Sequence, residues 1–204
     1  MKIMLTAFDA FGGQTINPAQ QAVQKVQAPE GVELVRVEVP TVFGKSIQVV
    51  TEAMEREHPD AVLCVGQAGG RAAVTPERVA INIMDARIPD NEGNQPEDQP
   101  VVPGGENALF STLPVKAMTA AIQKQEIPAQ LSNTAGTFVC NQLLYGVLHL
   151  CQQRFPETQA AFIHVPFLPQ QAKNGEPSLP LEQMVKALEA VLVCIEQERR
   201  FFQK

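Results

Sequence analysis

The chain has 204 residues, enough for one well-buried domain and short for two. Hydrophobic residues make up 45% of it and charged residues 19%, which is the balance of a globular protein and excludes a disordered one. The net charge of −6 argues against a nucleic-acid partner, and no apolar run approaches the ~20 residues that a membrane-spanning helix needs.

The first residues of the chain are typical of a strand. One cation, Lys2, precedes an alternating apolar and polar pattern that runs into Asp9. This segment has neither the apolar core nor the small-residue cleavage site of a signal peptide. We therefore predict a strand at residues 2–8 and expect the protein to stay in the cytoplasm.

Segments typical of strands and of helices alternate along the rest of the chain. We predict strands at residues 2–8, 32–40, 60–66, 77–87, 129–134 and 159–165. We predict helices at residues 17–26, 43–57, 115–124, 141–154 and 181–202. Asn17 is a suitable N-cap with Pro18 at the first helical position, and residues 88–106 read as a long loop.

The alternation predicts an α/β fold, with helices covering both faces of a sheet. We expect a single-domain three-layer α/β/α sandwich with a mixed, largely parallel sheet, and one domain over residues 1–204. The continuous apolar run at residues 60–66 indicates a buried central strand.

Four cysteines are present without a CxxC pair, which argues against a zinc knuckle or a redox motif. Cys140 follows a turn and directly precedes a predicted helix, whose amide groups and dipole would stabilise a thiolate. Cys64 lies in a buried strand, Cys151 about 16 Å along the same helix as Cys140, and Cys194 in an amphipathic helix. Cys140 is the candidate nucleophile, although position alone also allows a small buried capping residue.

The chain has three histidines from which a base could come. His58 ends a predicted helix, where it would interact with the helix dipole, and His149 lies about 13–14 Å along the helix from Cys140. His164 follows an apolar strand, at the edge where open α/β sheets build their sites. His164 is therefore the candidate base, with a structural histidine as the alternative.

A third group that orients the imidazole cannot be chosen from spacing alone. Four acidic residues are open candidates: Glu77, Asp85, Asp90 and Glu92. The ordinary role of each would be a surface ion pair. The residues by themselves thus predict a cysteine hydrolase of unknown substrate.

Several segments resemble those of the pyroglutamyl peptidase I (pyrrolidone-carboxylate peptidase) family. TAGTFVCN at 134–141 resembles its cysteine signature, TPERVAIN at 75–82 its glutamate signature, and FIHVP at 162–166 its histidine segment. Further similar segments are FDAFGG at 8–13, NP at 17–18, VPTVF at 39–43, VGQAGGR at 65–71 and DARIPDNEG at 85–93. The likeness covers nearly the whole chain. The family usually has Gly and Pro where this chain has Ala7 and Ala10.

The resemblance implies a cysteine exopeptidase that hydrolyses the bond after an N-terminal pyroglutamyl residue through a thioester acyl-enzyme. It implies Cys140 as nucleophile, His164 as base and Glu77 as the orienting carboxylate. It also implies that the Cys140 backbone N–H and Arg87 hold the oxyanion. No metal or organic cofactor is expected, and the family often assembles as homotetramers.

The substrate implied is a neutral five-membered lactam, which needs an apolar slot and hydrogen bonds to its carbonyl and N–H groups. Phe8 and Phe11 are the expected walls of that slot, with Val139 beside them. Asn17 and Gln67 are the expected polar groups. Without the resemblance, ordinary core packing would be the preferred interpretation of Phe8 and Phe11.

Two other functions remain open on the sequence. The glycines at residues 66–71 and 104–105 could cradle phosphate in a phosphorolytic or nucleoside-handling enzyme, although neither segment is a P-loop. The second alternative is a binding protein that keeps the lactam slot without turnover.

Overall fold

The computed structural model describes the backbone of residues 1–202 and the side chains of residues 1–198. Its strands are β1 (Lys2–Phe8), β2 (Glu33–Val39), β3 (Ala61–Gln67), β4 (Thr75–Glu77), β5 (Val79–Ile81), β6 (Ala108–Phe110) and β7 (Gln159–Val165). Its helices are α1 (Pro18–Lys25), α2 (Lys45–Glu57), α3 (Val115–Gln123), α4 (Val139–Arg154) and α5 (Leu181–Phe202).

A mixed five-stranded sheet forms the middle layer, in the order β2-β1-β3-β7-β4. The first four strands are parallel, and β4 at the edge is antiparallel to β7. Every residue of β3 is buried, as expected for a central strand that is covered on both faces. The fold is the single-domain α/β sandwich that the sequence predicts.

Helices cover the two faces of this sheet unequally. On one face, α1, α3 and α5 pack over an apolar cluster that includes Leu63, Val65 and Ile163. On the other face, α2 and α4 pack over a cluster that includes Cys64 and Phe162. Because side chains alternate along a strand, neighbouring residues of β3 and β7 contribute to opposite faces. This alternation places the candidate base, His164, on the same face as Cys64 and Phe162.

Most predicted elements lie where the sequence places them, and the helix starts show why boundaries are harder. Asn17 caps α1 as predicted, accepting a hydrogen bond from the Ala19 amide. Helix α2 begins at Lys45, two residues later than predicted, because Gly44 has a positive φ of 76° and precedes the first turn. Helix α4 begins at Val139, so Cys140 lies inside the first turn and not before it.

The prediction of one continuous strand at residues 77–87 is wrong, because Glu77 ends β4 and a separate short strand, β5, covers Val79–Ile81. The chain leaves the main sheet at the end of β4, and β5 then pairs with β6 in a separate two-stranded sheet. Both pairings produce the same alternating pattern, which hides the break from the sequence. Strand β6 has three residues and was not predicted.

The strand predicted at residues 129–134 is present only as isolated bridges beside β4. The Gln130 and Ser132 amides donate to the carbonyls of Val74 and Pro76 at 3.0 and 2.9 Å. This extended segment therefore continues the sheet edge next to β4, and it leads into the turn before Cys140.

Within the described residues, no helix is both long enough and apolar enough to cross a lipid bilayer.

Candidate active site

Cys140 is the second residue of α4, at the helix end that faces the carboxyl edge of the sheet. Phe138 is the N-cap residue, and its side chain makes no capping hydrogen bond within the described part of the chain. The backbone N–H groups of the first turn therefore have no intrahelical acceptor and remain available. The candidate nucleophile therefore lies beside free amide donors of the helix N-terminus.

The sulfur of Cys140 lies directly over the end of β3. A Cβ atom built on Gly66 would be 3.1 Å from Cys140 Sγ and 2.7 Å from Phe162 Cζ. Gly66 is paired with His164 in the parallel register of β3 and β7, so both positions face the same layer. Since neighbouring strands are about 4.8 Å apart, the register brings the sulfur beside the imidazole.

Glu77 orients the imidazole of His164. The distance between His164 Nδ1 and Glu77 Oε1 is 2.7 Å, and both side chains are buried. Glu77 reaches the ring because β4 pairs with β7 and places Glu77 opposite Phe162, on the His164 face of the sheet. With Nδ1 engaged by Glu77, the ring nitrogen left for the thiol is Nε2.

The other three acidic candidates serve different purposes. Asp85 is exposed at the cleft. Asp90 accepts hydrogen bonds from the Phe43 amide and from Asn94, which orders the start of the long loop. Glu92 forms an ion pair with Lys45. Among the four, the structure brings Glu77 to the imidazole.

The protonation states of the Glu77–His164 pair follow from burial and charge. Burial would raise the pKa of Glu77, but the hydrogen bond and charge of His164, with the charge of Arg71, lower it overall. Burial lowers the pKa of His164 and outweighs the opposing effect of Glu77. At neutral pH the pair is therefore a carboxylate that accepts a hydrogen bond from a neutral imidazole, whose Nε2 is basic.

The resting state of Cys140 differs from the sequence-based expectation of a stabilised thiolate. Burial, followed by the negative charge of Glu77, raises the pKa of the Cys140 thiol to about 12. The Arg71 charge and the Cys140 amide act in the opposite direction and do not compensate. The nucleophile is thus a neutral thiol at rest, and it needs a base at the moment of attack.

The remaining cysteines lie away from the site. Cys64 and Cys151 are buried in the core on the α2/α4 face, and burial raises the pKa of each thiol to about 12. Cys194 is half-buried on α5. His149 lies within α4, where its ring stacks on Tyr145 with centroids 6.3 Å apart.

A cleft of about 450 Å³ opens over Cys140 and His164. Part of the cleft wall is aromatic and apolar, with Phe11, Phe138 and Ile88. The remaining lining residues are Gln67, Ala68, Gly69, Arg71, Asp85, Arg87, Thr134, Ala135, Gly136 and Thr137. The cleft can hold a small planar group next to the thiol, with polar groups around its rim.

Arg87 lies at the rim of this cleft. Its side chain is exposed and makes no hydrogen bond or ion pair with the described residues. Two hydrogen bonds, between Asp85 N and Thr137 O at 3.0 Å and between Thr137 Oγ1 and Asp85 O at 2.7 Å, hold its loop against the nucleophile turn. Arg87 is therefore free to approach a developing negative charge beside Cys140.

Comparison with known proteins shows which family has this sequence and fold. The profile of the pyroglutamyl peptidase family matches residues 1–198. The pyrrolidone-carboxylate peptidase of Streptococcus suis is 51% identical over 202 residues, which cover 98% of this chain and 94% of that protein. The chain belongs to the pyroglutamyl peptidase family.

Other members of the family agree in sequence and in fold. The pyrrolidone-carboxylate peptidase of Lactobacillus johnsonii is 53% identical over 198 residues, covering 96% of this chain and 92% of that protein. The crystal structure of Bacillus amyloliquefaciens pyroglutamyl peptidase I superposes with a TM-score of 0.93 at 46% identity, over 96% of this chain and 97% of that one. Membership makes the chain a cysteine-type peptidase, as the resemblance implied.

Two of the five predicted substrate-binding residues line the cleft of this pyroglutamyl peptidase family member. Phe11 forms part of the wall, with its ring 6.2 Å from that of Phe138. Gln67 ends β3 at the cleft floor, where its Oε1 accepts a hydrogen bond from Gln171.

The other three predicted substrate-binding residues lie behind the cleft. Phe8 ends β1 on the α2/α4 face, so its ring is buried and lies 6.3 Å from Phe162, rather than on the wall. Val139 is buried in the same cluster because the first turn of α4 directs it inwards. Asn17 is buried and engaged, since its Nδ2 donates to the Asp9 carbonyl and its Oδ1 caps α1.

The two departures from the usual family pattern are accommodated locally. Ala7 is buried in the apolar cluster under α1 and α5. Ala10 lies in the loop before Phe11, and its carbonyl accepts a hydrogen bond from Asn91. Ala10 thus helps to attach the Phe11 loop to the long loop.

The glycines that suggested a phosphate cradle have other uses. Gly66 allows Cys140 to approach β3, and a Cβ on Gly69 would be 2.2 Å from the Phe167 ring. Both glycines therefore serve close packing around the cleft.

Sequence reasoning missed Arg71 and Phe138 as members of the site. Arg71 donates to Glu77 at 2.5 Å, and Phe138 forms cleft wall next to the nucleophile. The signal for Phe138 was its place directly before the first turn of the nucleophile helix. Arg71 ends the VGQAGGR segment, but nothing in its spacing connects it to Glu77.

Proposed function

We propose that this chain hydrolyses the peptide bond that follows an N-terminal pyroglutamyl residue, with Cys140, His164 and Glu77 as its catalytic triad. The observation that supports this most is the buried 2.7 Å hydrogen bond between His164 and Glu77 at the floor of the cleft where Cys140 lies. Three residues from separate parts of the sequence thereby meet in the order that a thiol, a base and an orienting carboxylate require.

The cleft walls favour a flat neutral ring. The pyroglutamyl lactam would lie between Phe11, Phe138 and Ile88, whose side chains line one wall. Phe8 and Val139 would support that slot from the core, and Asn17 would hold the loop that carries Phe11. Gln67, at the end of β3 in the cleft lining, would offer a polar group to the ring amide. A free N-terminal ammonium would lose its hydration against these apolar walls, so the slot would favour a neutral ring over an ordinary N-terminus.

Acylation begins when His164 Nε2 removes the proton of the Cys140 thiol. The sulfur attacks the carbonyl carbon between the pyroglutamyl ring and the next residue, and a tetrahedral oxyanion forms. The Cys140 backbone N–H and the Arg87 guanidinium would hold this oxyanion. Since the pKa of the thiol is raised to about 12, proton removal and attack would be coupled.

The protonated His164 then donates its proton to the departing amine nitrogen as the C–N bond breaks. The pyroglutamyl group remains on Cys140 as a thioester, and the shortened peptide leaves. A water molecule, deprotonated by His164, attacks the thioester and regenerates the thiol with release of pyroglutamate. Glu77 keeps Nδ1 protonated throughout and stabilises the imidazolium. These steps use no metal and no organic cofactor.

The assembly and the location of the protein are part of the same proposal. A homotetramer in the cytoplasm fits the family resemblance. Light scattering coupled to size-exclusion chromatography would measure the mass in solution. A monomer of 22.2 kDa would contradict the tetramer and leave the chemistry unaffected.

The activity is tested with three amides that share one chromogenic leaving group and carry pyroglutamyl, prolyl or glutamyl. We expect turnover of the pyroglutamyl amide, with prolyl and glutamyl amides cleaved up to about 10⁴-fold more slowly, because both leave buried polar groups unpaired. Iodoacetamide should abolish the activity, and mass spectrometry should place the label on Cys140. Equal rates on the three amides, or activity that survives labelling of Cys140, would overturn the proposal.

A further inference from the structure

Arg71 joins two parts of the site through one guanidinium group. Its Nη1 donates to Glu77 Oε1 and to Thr75 Oγ1, each at 2.5 Å, and its Nη2 donates to the Thr134 carbonyl at 3.0 Å. Thr75 and Glu77 belong to β4, whereas Thr134 belongs to the segment that leads to Cys140. One planar group therefore connects the strand of the orienting carboxylate to the approach of the nucleophile.

The orientation of Glu77 depends on this contact. Oε1 of Glu77 receives both the His164 Nδ1 bond and the Arg71 Nη1 bond. Oε2 is buried and has no hydrogen-bond partner in the described part of the chain. Without the guanidinium, the His164 bond and the Ser132 side chain alone would have to fix a fully buried carboxylate, which would then hold its orientation less firmly.

The guanidinium is also a partly buried cation beside the candidate triad. The Arg71 side chain is 27% exposed, whereas that of Glu77 is 0% exposed, so solvent screens their interaction little. Its charge lowers the pKa values of Glu77, His164 and Cys140, although burial remains the largest influence on each. The first two effects favour an ionised carboxylate and a neutral imidazole, and the third eases removal of the thiol proton.

We propose that Arg71 is a positioning residue of this peptidase: it fixes Glu77 and the Thr134 segment relative to each other, and so holds His164 and Cys140 in register. This rests on the proposed function, because it assigns Arg71 to the same triad. The role requires the planar fork of arginine. A lysine carries the same charge on a single nitrogen and cannot reach both β4 and Thr134.

The test compares Arg71→Met and Arg71→Lys with the matched control Arg78→Met. Arg78 adjoins Glu77 in sequence, and its side chain has no hydrogen bond or ion pair within the described residues. We expect kcat/KM to fall by about 10- to 100-fold in Arg71→Met, with most of the loss in kcat. Arg71→Lys should recover only a small part, and Arg78→Met should stay within about twofold. Added guanidinium should partly restore Arg71→Met.

The pH dependence separates positioning from simple support of the fold. Loss of a cation raises the pKa values of Glu77 and His164, so the acid limb of kcat/KM should move to higher pH in Arg71→Met and stay in place in Arg78→Met. The loss should also shrink in a Glu77→Gln background, because Arg71 acts partly through Glu77. A loss without any shift of the limb, or activity within twofold of the parent, overturns the proposal.

A measurement that needs no turnover distinguishes failure of this proposal from failure of the proposed function. NMR titration of the His164 ring nitrogens reports its pKa in the parent and in Arg71→Met. A rise on removal of the guanidinium supports the role of Arg71 even for a parent that fails to cleave pyroglutamyl amides, which would overturn the proposed function alone. An unchanged His164 titration overturns the role of Arg71 whatever the activity. Arg71→Lys serves the same titration if Arg71→Met does not fold.

Discussion

The two faces of the central sheet are built from the same strands, yet they differ in chemistry. The face under α1, α3 and α5 is an apolar cluster that includes Leu63, Val65 and Ile163. The face under α2 and α4 has Cys64 and Phe162 at the alternate positions, and ends in His164 at the carboxyl edge. Period-two alternation thus separates a layer that provides stability from a layer that carries the site.

This difference shows where a small domain can bury ionisable groups with partners. The buried ionisable pair lies on the face whose edge opens into the cleft, where Glu77 satisfies His164. On the opposite face, helices α1, α3 and α5 cover the strands and leave apolar packing as the main contribution. Substitutions on the α2/α4 face should therefore affect turnover more than stability. Substitutions on the α1/α3/α5 face should affect stability more than turnover.

The largest effect is expected from Cys140→Ala. Loss of the sulfur removes the acylation step, so kcat/KM should fall by about 10⁴- to 10⁶-fold. Stability should change by less than about 1 kcal/mol, because the side chain is half-buried and small. Turnover of a pyroglutamyl amide and thermal unfolding measure the two quantities. Activity near that of the parent would show that another residue is the nucleophile.

A sharper comparison uses two adjacent residues of β3 that face opposite layers. In Gly66→Ala the new Cβ would meet Phe162 at 2.7 Å and Cys140 Sγ at 3.1 Å. The Phe162 ring therefore has to shift, and the sulfur has to give by a few tenths of an ångström. Because a misplacement of about 1 Å at a reacting centre costs about 10²-fold in rate, we expect kcat/KM to fall by up to about that factor.

Val65→Ala is the matched substitution on the opposite face. Val65 is fully buried in the apolar cluster, so its truncation should cost about 1–3 kcal/mol of stability and leave kcat within about twofold. Chemical denaturation and steady-state kinetics on both variants test the contrast. Equal rate losses in Gly66→Ala and Val65→Ala would remove the functional distinction between the faces.

The pH dependence of kcat/KM should reflect the burial of His164. Burial lowers the pKa of His164 from its usual value near 6.5, so the imidazole remains neutral and basic as the pH falls through 6.5. The acid limb of kcat/KM should therefore have its midpoint below pH 6.5, whereas an unshifted histidine would have lost about half the activity there. A midpoint above 6.5 would mean that the Glu77 charge outweighs burial.

The sequence predicted the main sheet and the Cys–His pair for physical reasons that act locally. Apolar runs, the cap at Asn17 and a cysteine before an amphipathic segment are all readable within a few residues. Glu77 was different, because it lies 87 residues before His164 and reaches it only through the antiparallel pairing of β4 with β7. That pairing is tertiary, so the choice among four acids depended on the family resemblance.

The start of α4 shows why local signals can also mislead. Asn141 looked like the first residue of the helix, near the place of a cap. Its side chain instead bonds the backbone at the end of β5 and at Ile83. Oδ1 accepts from Ile81 N at 3.0 Å, and Nδ2 donates to the carbonyls of Ile81 and Ile83. Asn141 thus supplies hydrogen-bond partners to backbone groups at and after the end of β5. The helix begins two residues earlier, with no side-chain cap in the described part of the chain.

The smallest effect is expected from His149→Ala. This variant tests whether a histidine on the helix of Cys140, but outside the cleft, contributes to turnover. His149 is nine residues from Cys140, which corresponds to about 13–14 Å of helical rise, and its ring stacks on Tyr145 outside the cleft. We expect kcat/KM within about twofold of the parent and a stability loss below about 1 kcal/mol. His164→Ala, assayed beside it, should lose at least about 10³-fold, because no other imidazole among the described residues lines the cleft. A loss in His149→Ala as deep as that in His164→Ala would mean that proximity along α4, rather than the register of β3 and β7, selects the base.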